Sequence, residues 1–437
     1  MIRPRKLRQI LAPARGARKT VLILVLGFAI FICGFAISFK DRIPTLLEWM
    51  SRQVDALLGA AVAPESMDWS RHILGGGMLL LGFYLLIQGV RSGFRHVFET
   101  VNPDTGGRLA RIYRRRLQLA QGYKIVVLGG GTGLSTLLRG LKQQTSNITA
   151  VVTVTDDGGS SGKLIQEKGI IPPGDIRNCL VALADAEKSM TDLFQYRFSS
   201  DSGNLSGHSM GNLLIAALSD QARGDFERAI EIASDVLAIR GRVVPSTLSH
   251  VSLRALMEDG TEVTGETEVA GSQKRIRRIY LCPEDAKPYQ AAIEAIMEAD
   301  LICIGPGSVF TSVIPNLLVP GIANALENSP AHKVYICNVM TQRGESDAFS
   351  ASEHVSAVMA NVDRKIFDYV MINTAQPSQA ATEKYRGAGQ VLVEADVERI
   401  KSMGYQPLPG DYMSETDLVR HDPMKLSARL IRLLEKR

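Results

Sequence analysis

Cysteine is scarce in this chain and never clustered. Cys33, Cys179, Cys282, Cys303 and Cys337 include no C-x-x-C pair, which argues against a zinc ribbon, a disulfide scaffold or a thioredoxin-type centre. They read as small buried hydrophobes in a reducing compartment. Aromatic residues are only 6% of the total, so nothing points to a broad aromatic slot. A working P-loop is also missing. TDDGGSSGK, Thr155 to Lys163, ends in Gly-Lys after an apolar run, but Gly158 and Gly162 stand one residue too close. Leu164 occupies the place of the magnesium-binding Ser or Thr. The dinucleotide fingerprint G-x-G-x-x-G fails as well, because the residue that should be its third glycine, after Gly129 and Gly131, is Leu134.

Long apolar runs, in contrast, are present. Val21 to Phe39 and Ile73 to Val90 carry no charge, and each approaches the roughly 20 residues that span a bilayer as a helix. The first is too long for a signal-peptide core and lacks a small-residue cleavage site after Phe39. The expectation is a two-helix transmembrane hairpin within residues 1–90, helices at about 21–39 and 73–90. Arginine and lysine cluster before the first run and after the second, which places both ends in the cytoplasm of a two-pass inner-membrane protein. The formal charge of +5 owes much to these flanks. An anionic membrane surface accounts for it, and no nucleic-acid partner is expected. Residues 91–122 form a basic connector with helical character.

From 123 to 437 the pattern becomes α/β. KIVVLGG, ITAVVTV, ADLICIG, KVYICNV and FDYVMIN are short continuous apolar runs separated by helical segments. That is the mark of a mostly parallel sheet with helices on both faces, a Rossmann-like arrangement. VLVEADV, 391–397, is a candidate last strand. Residues 241–280 alternate polar with apolar and contain Asp259-Gly260, which predicts a small antiparallel excursion.

Polar, glycine-rich segments follow several of these strands, where such sheets bind ligands. GGGTGLS, Gly129 to Ser135, offers close backbone approach and a helix N-terminus to an anion. In TDDGGSSGK, Asp156 and Asp157 have three readings: Mg²⁺ ligands, acceptors for a ligand's hydroxyl or ring N–H groups, or an Asx turn. Ser160 and Ser161 add hydroxyls. In IPPGDIRN, Asp175 reads as a helix cap or a ligand contact, Arg177 as a planar fork for phosphate or a ring carbonyl, with Asn178 beside it. GHSMGN matches the serine-hydrolase elbow around Ser209, but a polar loop precedes it where a strand is required. A helix start presenting His208 and Asn212 fits better. IGPGSVFTS supplies Gly305, Gly307 and Ser308 as a second phosphate-sized nest, and NVMTQRGESD supplies Thr341, Gln342 and Glu345.

These six motifs, in this order, resemble the bacterial gluconeogenesis-factor family (YvcK-like), related to the 2-phospho-L-lactate transferases (CofD-like), over roughly residues 123 to 435. The resemblance implies a Rossmann-like fold, a uridine diphosphate sugar ligand (typically UDP-N-acetylglucosamine) and a role in gluconeogenic growth, cell-wall precursor supply and cell shape. It implies that Gly130, Gly131, Thr132 and Gly133 lie against the ligand, that Asp156 and Asp157 hold polar groups or a metal, and that Gly305, Gly307 and Ser308 serve the diphosphate. Lys163 and Arg343 depart from the family pattern, which has Arg and Pro there. The common form lacks the hairpin. No acid, base and nucleophile converge in the sequence, so a binding factor is favoured. A Mg²⁺-dependent transferase of a phospholactyl-like group is the alternative. A homo-oligomer is expected.

Overall fold

The computed structural model describes residues 106–435 except 186–187, 273 and 416–417, with a few helical positions between Pro44 and Ala56. The expected membrane helices at 21–39 and 73–90 lie outside the described residues. Among the described residues no single helix is long and apolar enough to cross a membrane. The chain divides into two units, Met1–Leu117 and Gln118–Arg437. The basic run RLARIYRRRLQLA falls in helix α1, Gly106–Ala120.

Seven strands build the sheet of the second unit: β1 (Ile125–Gly129), β2 (Ile148–Val152), β3 (Arg242–Pro245), β7 (Leu301–Ile304), β8 (His332–Ile336), β9 (Tyr369–Asn373) and β10 (Gln406–Gly410). Their order is β10-β9-β8-β7-β1-β2-β3, and all neighbours pair in parallel. Both faces are covered, which is why the strand sequences are apolar throughout. Val126, Leu128, Ile302 and Ile304 join one core, while Ile125, Val127, Leu301 and Cys303 join the core on the other face. The alternation of a pleated strand thus feeds two hydrophobic layers at once.

The antiparallel excursion exists but is shorter than the sequence suggests. β4 (Ser252–Met257), β5 (Glu262–Thr264) and β6 (Ile276–Cys282) form a three-stranded sheet in the order β5-β4-β6. Arg242–Pro245 instead becomes the parallel edge strand β3. Its Val243 and Val244 are 5% exposed, and the alternating pattern of the surrounding residues hides that two-sided burial. VLVEADV is no strand of this sheet. Leu392 makes an isolated bridge to Met340, and the sheet ends on β10, QPLPG. A hairpin of β11 (Met413–Glu415) and β12 (Val419–His421) follows.

The strand order reverses between β1 and β7. From β1 it proceeds to β2 and β3 on one side, and from β7 to β8, β9 and β10 on the other. This is the topological switch point, the place where open α/β sheets bind ligands beyond the strands' carboxyl ends.

Candidate functional site

The loop after β1 leads into α2, Gly131–Leu141, and the loop after β7 leads into a π-turn, Val309–Val313. Gly133 lets them touch backbone to backbone, and Gly130 makes room for a carboxylate from a third loop. A Cβ on Gly133 would lie 2.5 Å from the Pro306 carbonyl oxygen, and one on Gly130 would lie 2.5 Å from the Asp175 carboxylate. From the next strand end, Asn338 clasps the β7 loop: its Oδ1 accepts from Gly307 N–H at 3.3 Å, and its Nδ2 donates to Gly307 O at 2.9 Å. Gln342 Nε2 donates to Ser308 Oγ at 2.7 Å. Glu345 is buried beneath, accepting from Thr311 Oγ1 at 3.1 Å, and burial pushes its carboxyl up to about 7.

A cavity of about 200 Å³ opens here, lined by Gly130–Gly133, Pro306–Ser308, Asn338, Gln342, Arg420 and His421 among others. The Thr132 and Gly133 N–H groups at the head of α2 have no acceptor among the described residues. Arg420 brings a cation from β12. His421 is buried, which pushes its imidazole down to about 4 and leaves it neutral at pH 7. Donors at a helix start with an arginine opposite make an anion cradle.

A second cleft, of about 230 Å³, lies beyond β2. Asp156, Gly158–Ser161, Gly174, Asp175, Arg177, Asn178, Arg197 and Asn212 line it. They come from the heads of α3 (Gly159–Lys168), α4 (Gly174–Leu183) and α5 (Met210–Gln221) and the segment before α5. Asp175 belongs to both neighbourhoods. Its carboxylate lines this cleft, accepts the Gly131 N–H, and is raised to about 6 by burial and then by Asp156. Glu266, at the head of α7 (Glu266–Gly271), is raised to about 9 by burial and again by Asp156 and Asp175.

The sequence-predicted residues therefore divide into two sets. Gly130, Gly131, Thr132, Gly133, Gly307, Ser308 and Gln342 share the first cavity, while Asp156, Ser160, Ser161, Asp175, Arg177, Asn178 and Asn212 share the second. Four lie elsewhere. Gly305 turns the chain at the end of β7. Thr341 is buried, its hydroxyl accepting from Val391 N–H at 3.0 Å. His208 sits behind Ser160, with Nδ1 3.1 Å from its Oγ. Asp157 commits both carboxylate oxygens to the head of α7, accepting from Glu266 N–H and Thr267 N–H at 2.9 Å each and from Thr267 Oγ1 at 2.7 Å. The carboxylate that faces Asp156 is Asp175, from the next motif.

That arrangement reshapes the metal reading. Among the described residues no three His, Cys, Asp or Glu side chains form a metal-holding group. An Asp156–Asp157 chelate is unavailable because Asp157 is a helix cap. Asp156 and Asp175 fit the pattern of Mg²⁺, which takes one or two carboxylates and completes its shell with water and ligand phosphates. The hydrolase elbow also dissolves. Ser209 is fully buried, caps α5 by accepting Asn212 N–H at 3.2 Å, and accepts from the Arg177 guanidinium, while the adjacent histidine turns to Ser160.

Comparison with known proteins agrees with this architecture. The family model of the 2-phospho-L-lactate transferase CofD matches residues 125–413. A Bacillus subtilis protein named gluconeogenesis factor is 46% identical over 320 residues, 73% of this chain and 100% of its own. The chain belongs to the gluconeogenesis-factor group of the CofD family. A Nostoc sp. relative of that group is 43% identical over 427 residues, 97% of this chain and 91% of its own, so the alignment reaches into the segment before the α/β unit. The crystal structure of a Bacillus halodurans protein of the UPF0052 family superposes with a TM-score of 0.68 at 47% identity, over 71% of this chain and 99% of that one.

Sequence reasoning missed Arg197, Glu266, Arg420 and His421. None sits in a glycine-rich strand-end motif, and they come from three separate connections, Arg420 and His421 together from β12. Asn338 was within reach, because it opens the NVMTQ motif directly after β8.

Proposed function

We propose that this family member binds a uridine diphosphate sugar, UDP-N-acetylglucosamine first among them, as a membrane-tethered regulator serving gluconeogenic growth, cell-wall precursor supply and cell shape. The observation that carries the reading is the cradle at the switch point: two glycine loops in backbone contact, free N–H groups at the head of α2, and Arg420 across the cavity. A diphosphate suits donors so placed, and Asn338 and Gln342 line the same cavity with neutral polar groups. Membrane attachment rests on the charge-free runs Val21–Phe39 and Ile73–Val90 with their arginine flanks.

Titration calorimetry on the full-length chain tests the nucleotide reading. UDP-N-acetylglucosamine is expected to release heat at a single site, and Arg420→Ala to weaken it by about 10-fold or more, the usual cost of one charge-assisted hydrogen bond. No heat at millimolar nucleotide sugar would end the proposal.

The match to the CofD model, together with the Asp156–Asp175 pair, supports transferase chemistry as a second reading. Mg²⁺ held there would neutralise charge on a diphosphate leaving group. The chain's own part is to orient donor and acceptor across Asp175, which lines the second cleft and accepts the Gly131 N–H from the loop of the first. Mass spectrometry after incubation with an activated lactate donor and an acceptor alcohol separates the readings, since absence of product removes the transferase.

A further inference from the structure

The small antiparallel sheet presents a face that nucleotide binding does not use. Its inner side, Leu253, Ala255, Met257, Ile279 and Leu281, is sealed into one of the two large cores, so the outer side is a rigid platform. Sheets of this kind ordinarily turn a mixed polar face to water. Here arginine dominates. β6 reads IRRIYLC and directly follows Lys274-Arg275, with no acid in the run. Its register with β4 slips between Leu256 and Met257. That irregularity leaves Arg277 and Arg278 both exposed, where strict alternation would bury one of them. Arg254 stands opposite Tyr280 in the ladder, and Arg278 precedes Tyr280 by two on the same strand. Their guanidinium carbons lie 5.4 Å and 5.7 Å from the Tyr280 ring centroid. The ring holds both cations in place, while their like charges repel each other. The ion pairs of this sheet belong to Arg254 and Lys274 and leave Arg277 and Arg278 without one among the described residues. Arg254 reaches Glu262 and Glu284 only at 3.5 Å and 3.6 Å, and its Nε is buried with no acceptor.

Arginines stacked in advance and short of acceptors select an anion, and the guanidinium fork matches a carboxylate through two parallel N–H groups. Arginine and tyrosine are also the side chains that anchor protein interfaces, from which lysine is depleted. Stacking on Tyr280 lowers the rotamer entropy that docking would otherwise cost. The rim of the patch decides among anionic partners. Glu262, Glu284 and Asp259 flank the cations, so a continuous phosphate backbone or a lipid surface would be pressed against acids. A short polypeptide can place discrete carboxylates between them. We propose that the outer face of the β5-β4-β6 sheet docks an acidic segment of a partner protein. The partner's carboxylates pair with Arg254, Arg277 and Arg278, and its chain crosses Tyr280. Between β5 and β6 in the chain lies α7, whose Glu266 and Thr267 N–H groups hold Asp157. The docked partner therefore sits on an element tied to the loop after β2. None of this depends on which ligand the nucleotide cradle takes.

Fluorescence polarisation on the full-length chain in phosphatidylcholine nanodiscs tests this, with a fluorescein-labelled poly-glutamate peptide as probe. The peptide is expected to bind, and the double variant Arg277→Glu/Arg278→Glu to weaken it by about 10-fold or more, the cost of a lost charge-assisted pair. Both positions are exposed, and an unchanged Tm reports that the variant is folded. Arg278→Lys keeps the charge but loses the fork, and is expected to weaken the peptide by about threefold. The control is Arg114→Glu/Arg116→Glu in the equally basic helix α1, expected to change nothing. Unlabelled oligouridylate RNA and phosphatidylglycerol vesicles serve as competitors, and neither is expected to displace the peptide at the concentration where unlabelled poly-glutamate does. Unchanged affinity in the Arg277/Arg278 variant, or an equal loss in the α1 control, overturns the docking face. Full affinity in Arg278→Lys overturns recognition by the guanidinium fork. Displacement by RNA or by the vesicles at lower concentration than poly-glutamate overturns the acidic-protein assignment.

Discussion

Asp157 spends its carboxylate on two backbone N–H groups and one hydroxyl at the start of α7, so its replacement tests a structural role separable from binding. Asp157→Ala should cost about 0.5–2 kcal/mol of stability, the range for a lost helix cap, with UDP-N-acetylglucosamine affinity changed less than twofold; denaturant unfolding and calorimetry read the two separately. Asp175 behaves in the opposite sense. Burial and Asp156 raise its folded-state pKa to about 6, above its ordinary value of 3.8. The folded chain therefore holds the proton more tightly than the unfolded chain. The group favours folding at low pH, and that contribution is lost as pH rises from about 4 through 6. Asp175→Asn should flatten the stability profile across that window and raise Tm at pH 8 by a few degrees. A wild-type slope retained by the variant would show that another group titrates there. The two aspartates that looked like a chelating pair in TDDGG are divided by the fold, because successive side chains leaving an extended strand end point apart.

At the level of elements, the glycine loops after β1 and β7 depend on one contact. In Gly133→Ala the added methyl meets the Pro306 carbonyl oxygen, a backbone atom that a rotamer change cannot move. The loops must separate, at a cost of about 1–3 kcal/mol, and nucleotide binding should fall by more than 10-fold while far-UV circular dichroism is unchanged. Near-native affinity would show that the loops have slack. Elements of this kind were legible in the sequence because burial on both faces writes continuous runs such as IVVLG and LICI, and because glycines at their ends have no other use. β3 was not legible as a parallel strand, since RVVP merges into an alternating neighbourhood. The placement of Arg420 at the first cavity and Arg197 at the second was invisible for another reason. Arg197 lies in the polar segment before α5 and Arg420 on a separate hairpin, and only tertiary packing sets their targets.

For the whole molecule, attachment and ligand occupancy are separately measurable. The full-length chain should sediment with membranes and resist salt extraction, whereas residues 118–437 alone should remain in the supernatant; release of the full-length chain by salt would refute an inserted hairpin. The long sheet has one more property at this scale. Ser246 N–H donates to Val152 O, and Gln406 N–H donates to Asp368 O, so with a period of two Pro245 at one edge and Pro407 and Pro409 at the other turn away from their strand partners. Those are the positions that would offer N–H groups to a newcomer strand, and proline has none. The sheet is finished on both sides, like a strip of fabric with hemmed borders. Self-association, if this protein practises it, is directed to helices, loops or the small antiparallel sheet, and lateral stacking into fibres is denied a starting row.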